Sequence, residues 1–165
     1  MKLYLIRHAQ PAETTGDARL SEAGRKQAEM LGNLFRQLML DREVLKIVSS
    51  DAQRARETAE IVCGALEVPP EEIALFPAPI DNSPPADPVT MAERLMKRLQ
   101  KFHSQGSQTI IVVGHFPYLS RGLALILGDD AMQFPKDYGA VASIDCPETS
   151  DGATGNLEWF VIPHV

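Results

Sequence analysis

The chain has 165 residues, 44 % of them apolar and 23 % charged, with a formal net charge of −6. That size and balance fit one globular domain over residues 1–165, and the acidity argues against a nucleic-acid partner, whose phosphates attract basic surfaces. No apolar run approaches the roughly eighteen residues of a membrane span, and the apolar start at residues 3–6 is too short for a signal peptide. A cytoplasmic protein without membrane contact is expected. Cys63 and Cys146 have neither metal-ligand nor disulfide spacing, which fits two buried free thiols in a reducing compartment. Residues 1–60 hold 10 Lys and Arg against 9 Asp and Glu, and residues 61–165 hold 6 against 13. The N-terminal part is thus richer in cations, where an anionic substrate would want them.

Residues 2–7 (KLYLIR) form a short apolar run, expected as a first strand buried in a parallel sheet. A helix follows from an N-cap at Ser21, with Ala28, Leu31, Phe35 and Leu38 on one face. Residues 44–49 are expected as a strand and residues 52–66 as a helix with Ala55, Ala59, Val62 and Leu66 inside. Residues 73–76 suit a short third strand. Residues 67–88 contain seven of the twelve prolines, so most of that stretch is expected as loop. Thr90 and Glu93 have the spacing of a capping box, predicting a helix that buries Met91, Leu95, Leu99 and Phe102. Residues 109–113 (TIIVV) give the strongest strand, apolar on both faces. A helix carrying Leu119, Leu123 and Leu127 stops at Gly128. Residues 141–146 and 157–162 complete the pattern as two antiparallel strands. Alternating strands and helices predict an α/β three-layer sandwich: a mostly parallel central sheet, helices on both faces and an antiparallel C-terminal strand.

In such sheets ligands bind beyond the carboxyl ends of the strands. Three predicted strands deliver titratable or charged groups there. The first ends in Arg7 and His8, the second runs into Ser49, Ser50 and then Arg54 in a first helical turn, and the strand of residues 109–113 ends in Gly114 and His115. Guanidinium forks match phosphate oxygens, and an imidazole near its ordinary pKa of ~6.5 can be neutral and nucleophilic. Any one of these groups alone would suit a structural or solvated role. Their common placement at strand ends points to phosphate chemistry. His103 and His164 lack that placement and are expected on the surface or in the tail.

Four segments in order carry a family resemblance. They are L-I-R-H-A at residues 5–9, L-S-E-A-G-R-K-Q-A at 20–28, S-S-D-A-Q-R-A-R-E-T-A at 49–59 and V-G-H at 113–115. Together they resemble the histidine phosphatase superfamily, which includes the cofactor-dependent phosphoglycerate mutases, with Ala9 where the family usually has Gly. Short length, H-F-P at residues 115–117 and F-P-K-D-Y-G-A-V-A-S-I at residues 134–144 are most similar to the SixA-type phosphohistidine phosphatases. The resemblance implies that His8 accepts the phosphoryl group and that Arg7, Arg54 and His115 hold it, with neither metal nor cofactor. It also implies a phosphohistidine-bearing protein as substrate, removed by way of a phosphohistidine intermediate.

The proline-rich loop lacks the glutamate that many relatives use to protonate the leaving group. Asp81 and Asp87 are candidates for that role, although Asp among prolines more often forms turns. Arg19 lies in the loop after His8, within reach of the same place. The alternatives are a small-molecule phosphomonoesterase or mutase of the same superfamily and, from another class, a non-catalytic phosphate-binding module.

Overall fold

The computed structural model describes residues 1–77, 87–146 and 155–164. Among them the strands are β1 (Lys2–Arg7), β2 (Leu45–Ser50), β3 (Ala74–Phe76), β4 (Thr109–Gly114), β5 (Val141–Asp145) and β6 (Asn156–Val161). The helices are α1 (Glu22–Gln37), α2 (Gln53–Leu66), α3 (Pro88–Ser104) and α4 (Tyr118–Leu127). The six strands make one sheet in the order β3-β2-β4-β1-β5-β6. Pairing is parallel from β3 through β1, whereas β5 runs antiparallel to both β1 and β6.

Alternate side chains of the strands feed two cores. Leu3, Leu5, Ile110 and Val112 pack with Leu95, Leu99, Leu119 and Leu123, which puts α3 and α4 on one face. Tyr4, Ile6, Ile111 and Val113 pack with Leu31, Phe35, Ala59 and Val62, which puts α1 and α2 on the other. Each fully buried Leu, Ile or Phe side chain contributes roughly 1.5–3 kcal/mol, so strands apolar on both faces favour a sheet covered on both sides. The three-layer α/β sandwich with its antiparallel C-terminal strands is as expected.

Several local expectations differ. The N-cap of α3 is Asp87, whose carboxylate accepts from Thr90 N–H at 3.2 Å. The cap therefore lies three residues before the expected one at Thr90, and Pro88 takes the first-turn position where a missing N–H costs nothing. Leu38 is the C-cap of α1 and 38 % exposed, not part of its inner face; the next residue, Met39, has φ 49° and turns the chain away. Cys63 is buried, as expected, but Cys146 is only half-buried.

The register sets the level of the site. Arg7 pairs with Gly114 and Ser49 with Val113, so β1, β4 and β2 end side by side at their carboxyl ends. His8 N–H extends the ladder by one bond, to the Gly114 carbonyl at 2.9 Å.

Candidate active site

His8 leaves β1 almost fully buried, with 5 % of its surface exposed. Its Nδ1 lies 2.8 Å from the Ala9 carbonyl. A carbonyl only accepts, so Nδ1 carries the ring proton and Nε2 keeps its lone pair. Arg54 Nε donates to that Nε2 at 3.3 Å. Burial pushes the His8 imidazole down to about 4, against the Ala9 carbonyl, and the Arg54 and Arg7 charges push the same way. The ring is therefore neutral at pH 7. Ala9 itself is fully buried, and its N–H donates to Thr58 Oγ1 at 3.1 Å.

Arg54 sits in the first turn of α2. Its Nη1 donates to the Gly16 carbonyl at 3.1 Å, and its own carbonyl accepts from Thr58 Oγ1 at 2.7 Å. Arg7 is the last residue of β1, next to His8 in the chain. Its guanidinium donates from Nη1 to the Lys136 carbonyl and lies 4.2 Å from the centroid of the Tyr138 ring. Burial lowers the Arg7 pKa, but an arginine stays charged at neutral pH. Arg7 and Arg54 each give one N–H to a backbone carbonyl, of Lys136 and of Gly16. Two guanidinium cations beside a neutral imidazole make a place for an anion.

His115 follows β4, its ring centroid 4.8 Å from that of His8. Its Nε2 is 2.7 Å from Ser50 Oγ, and that oxygen accepts from Ala52 N–H at 3.2 Å. With Ser50 as donor to Nε2, the ring proton sits on Nδ1. Burial holds His115 well below the usual histidine pKa, and His8, Arg54 and Arg7 reinforce it. Gly114 makes the close packing here possible, since a Cβ on it would collide with the Tyr118 hydroxyl.

A cavity of about 250 Å³ opens over these groups. Arg7, His8, Arg54 and His115 all line it, so the structure brings the four expected residues together. Glu13, Thr14, Met91, Phe116 and Tyr138 line it too and were not expected. Ser50 and Tyr138 both fall inside the motif segments, the former as the second Ser of S-S-D. Arg19 does not line this cavity; it points into a neighbouring polar groove, 4.0 Å from Glu57. The Asp87 carboxylate is spent on capping α3. Asp81 lies outside the described residues. His103 is away from the cavity, its Nδ1 3.0 Å from the Ser107 carbonyl, and His164 is exposed at the far end of β6.

Residues 3–77, which carry Arg7, His8 and Arg54, match one family model. That model describes the histidine phosphatase superfamily (branch 1). No curated protein matches the chain significantly. Solved structures do. The protein histidine phosphatase SixA, solved with tungstate, superposes with a TM-score of 0.77 at 18 % identity, over 98 % of this chain and 97 % of that one. A mycobacterial glucosyl-3-phosphoglycerate phosphatase gives 0.70 at 18 % identity, over 95 % and 96 %. The alpha-ribazole phosphatase from Shigella flexneri gives 0.70 at 21 % identity, over 96 % and 95 %. At these identities the likeness is one of fold. Among the described residues no helix is long and apolar enough to cross a membrane.

Proposed function

We propose that the chain is a phosphatase that carries phosphate on Nε2 of His8 and takes it from phosphohistidine on a signalling or phosphotransfer protein. The observation behind this is the neutral His8 ring, whose unprotonated Nε2 meets the Arg54 guanidinium at the cavity. Pure phosphate binding would need the arginines but not that lone pair. The bond from Nε2 to phosphorus forms as the bond from phosphorus to the substrate nitrogen breaks, and the electron pair goes to the substrate ring. Arg7, Arg54 and the N–H of His115 neutralise the phosphoryl oxygens in flight. Water then attacks phosphorus, the pair returns to His8 Nε2, and inorganic phosphate leaves.

Protonated phosphohistidine expels a neutral imidazole, whose conjugate acid has a pKa near ~6.5, so it asks little acid help from the enzyme. No metal takes part in this scheme, and among the described residues no group of three His, Cys, Asp or Glu could hold one. The cavity, about 250 Å³, is smaller than the ~300–1,000 Å³ of pockets that engulf whole small molecules. It suits a phosphoryl group presented on a protein side chain.

Glu13 favours a second reading. It is a carboxylate lining the same cavity, and an alkyl ester needs a proton for an alkoxide about as basic as hydroxide. A small-molecule phosphomonoesterase would use it. The test is a panel of phosphohistidine protein, phosphotyrosine peptide and alkyl phosphate, assayed with wild type, His8→Ala and Glu13→Gln. Phosphohistidine should be the best substrate, indifferent to Glu13→Gln. His8→Ala should abolish turnover on every substrate, along with the acid-labile, base-stable phosphate trapped by acid quench. Comparable rates on the alkyl ester, lost in Glu13→Gln, would establish the second reading. Turnover that survives in His8→Ala would end both.

A further inference from the structure

The first turn of α2 lacks a cap of its own. The residue at its N-cap is Ala52, which offers no side-chain acceptor, and such positions normally use Ser, Thr, Asp or Asn. The acceptor arrives instead from 36 residues earlier in the chain. Asp17 Oδ1 accepts from the backbone N–H of Gln53 at 2.6 Å. With its amide suitably turned, the Gln53 side chain also donates to the Asp17 carbonyl at 3.0 Å.

The residues next to this pair meet as well. Gly16 precedes Asp17 and Arg54 follows Gln53, and Arg54 Nη1 donates to the Gly16 carbonyl at 3.1 Å. Gly16, Asp17, Gln53 and Arg54 therefore close a ring, with one link through the backbone amide and one through the guanidinium. Gly16 has φ +70°, a left-handed conformation that favours glycine and presents its carbonyl to the arginine. The loop is pinned at its base too. Pro11 bridges to Leu20, Ala12 N–H donates to the Arg19 carbonyl at 2.8 Å, and Leu20 N–H donates to Glu57 at 3.1 Å. Between base and tip lie Glu13 and Thr14, which form one wall of the cavity.

We propose that Asp17 is the positioning residue for Arg54: by capping α2 from the loop tip it fixes the Gly16 carbonyl that orients the guanidinium, and so sets the affinity of the site for phosphate. This rests on Arg54 being a phosphate-binding group, as proposed above. Asp17 touches no reacting atom. An unanchored Arg54 would keep its charge but sample many rotamers, and a fork must be held still to bind two oxygens at once.

The experiment is a double-mutant cycle read by tungstate affinity, with steady-state kinetics and thermal melting on the same proteins. Asp17→Ala should weaken tungstate binding about tenfold, raising KM more than it lowers kcat. Asp17→Asn keeps a side-chain acceptor and should recover most of that loss. In an Arg54→Ala background, Asp17→Ala should have no further effect on tungstate, although its effect on melting temperature persists. Equal weakening in both backgrounds would overturn the proposal, because Asp17 would then act without Arg54. So would an Asp17→Ala protein that binds tungstate as wild type does. If Arg54→Ala itself left tungstate binding unchanged, the phosphate-binding role of Arg54 would fall, and the proposal with it.

Discussion

Arg54 Nε donates to His8 Nε2 across 3.3 Å, and that lone pair is the one a phosphoryl group would take. The guanidinium and the phosphorus therefore compete for one atom. Arg54 keeps Nε2 unprotonated, because a proton there would face a cation at hydrogen-bond distance. When a phosphoryl group arrives, its oxygens offer the same N–H groups a stronger, charged acceptor. On the proposed function, the arginine would then change partner and uncover His8 Nε2.

The first consequence is in pH dependence. Burial holds His8 down to about 4 from its usual 6.5, so kcat/KM on an acid-stable aryl phosphate should decline only as pH falls toward 4. An acidic limb near 6.5 would show an unperturbed His8. Stability should respond over the same window. Between pH 6.5 and about 4 the unfolded chain has taken up a proton that folded His8 still refuses. Stability is therefore complete above 6.5 and declines as pH falls through that interval. Urea unfolding at several pH values should show a smaller decline in His8→Gln than in wild type.

Arg54→Ala should lower kcat by about 10²–10³-fold, the usual loss when a preorganised donor to transition-state charge is removed. Arg54→Lys should recover only part of it. Lysine supplies the charge but not the planar fork that holds one N–H on the His8 ring and another on the Gly16 carbonyl. Steady-state kcat/KM decides, and a lysine variant equal to wild type would remove the forked role.

Ser50→Ala takes the donor away from His115 Nε2, 2.7 Å distant, and the acceptor from Ala52 N–H. Without that donor the proton can sit on either ring nitrogen, and kcat should drop about tenfold. Nitrogen NMR of the histidine rings should show the Nδ1-protonated form of His115 in wild type and a mixture in the variant. A single unchanged tautomer would mean that something other than Ser50 sets it.

Much of this was legible in the sequence. Lys2–Arg7 and Thr109–Gly114 stand out because strands covered on both faces must be apolar throughout, and placement at strand ends singles out His8, Arg7, Arg54 and His115. What escaped depends on contacts between distant segments. The place of β4 between β1 and β2 leaves no trace in local pattern. Nor does the Tyr138 ring under Arg7, which needs the turn before β5 to fold back on β1. The start of α3 is a different case. The Asp87-Pro88 pair is a local signal of cap and first turn, and it outweighed the capping-box spacing of Thr90 and Glu93.

The neighbours of β1 constrain how the molecule can form. That strand lies between β4 and β5, both encoded more than a hundred residues after it, and pairs with neither β2 nor β3. His8 and its strand therefore stay unpaired until the chain as far as Gly114 is available, and keep one open edge until Asp145 follows. Such distant pairings fold slowly, because the entropy of closing a long loop is lost before any contact rewards it. The match over residues 3–77 covers His8 and both arginines but neither flank of their strand. A fragment ending there would expose a six-residue apolar strand with two open edges, which invites association with other chains.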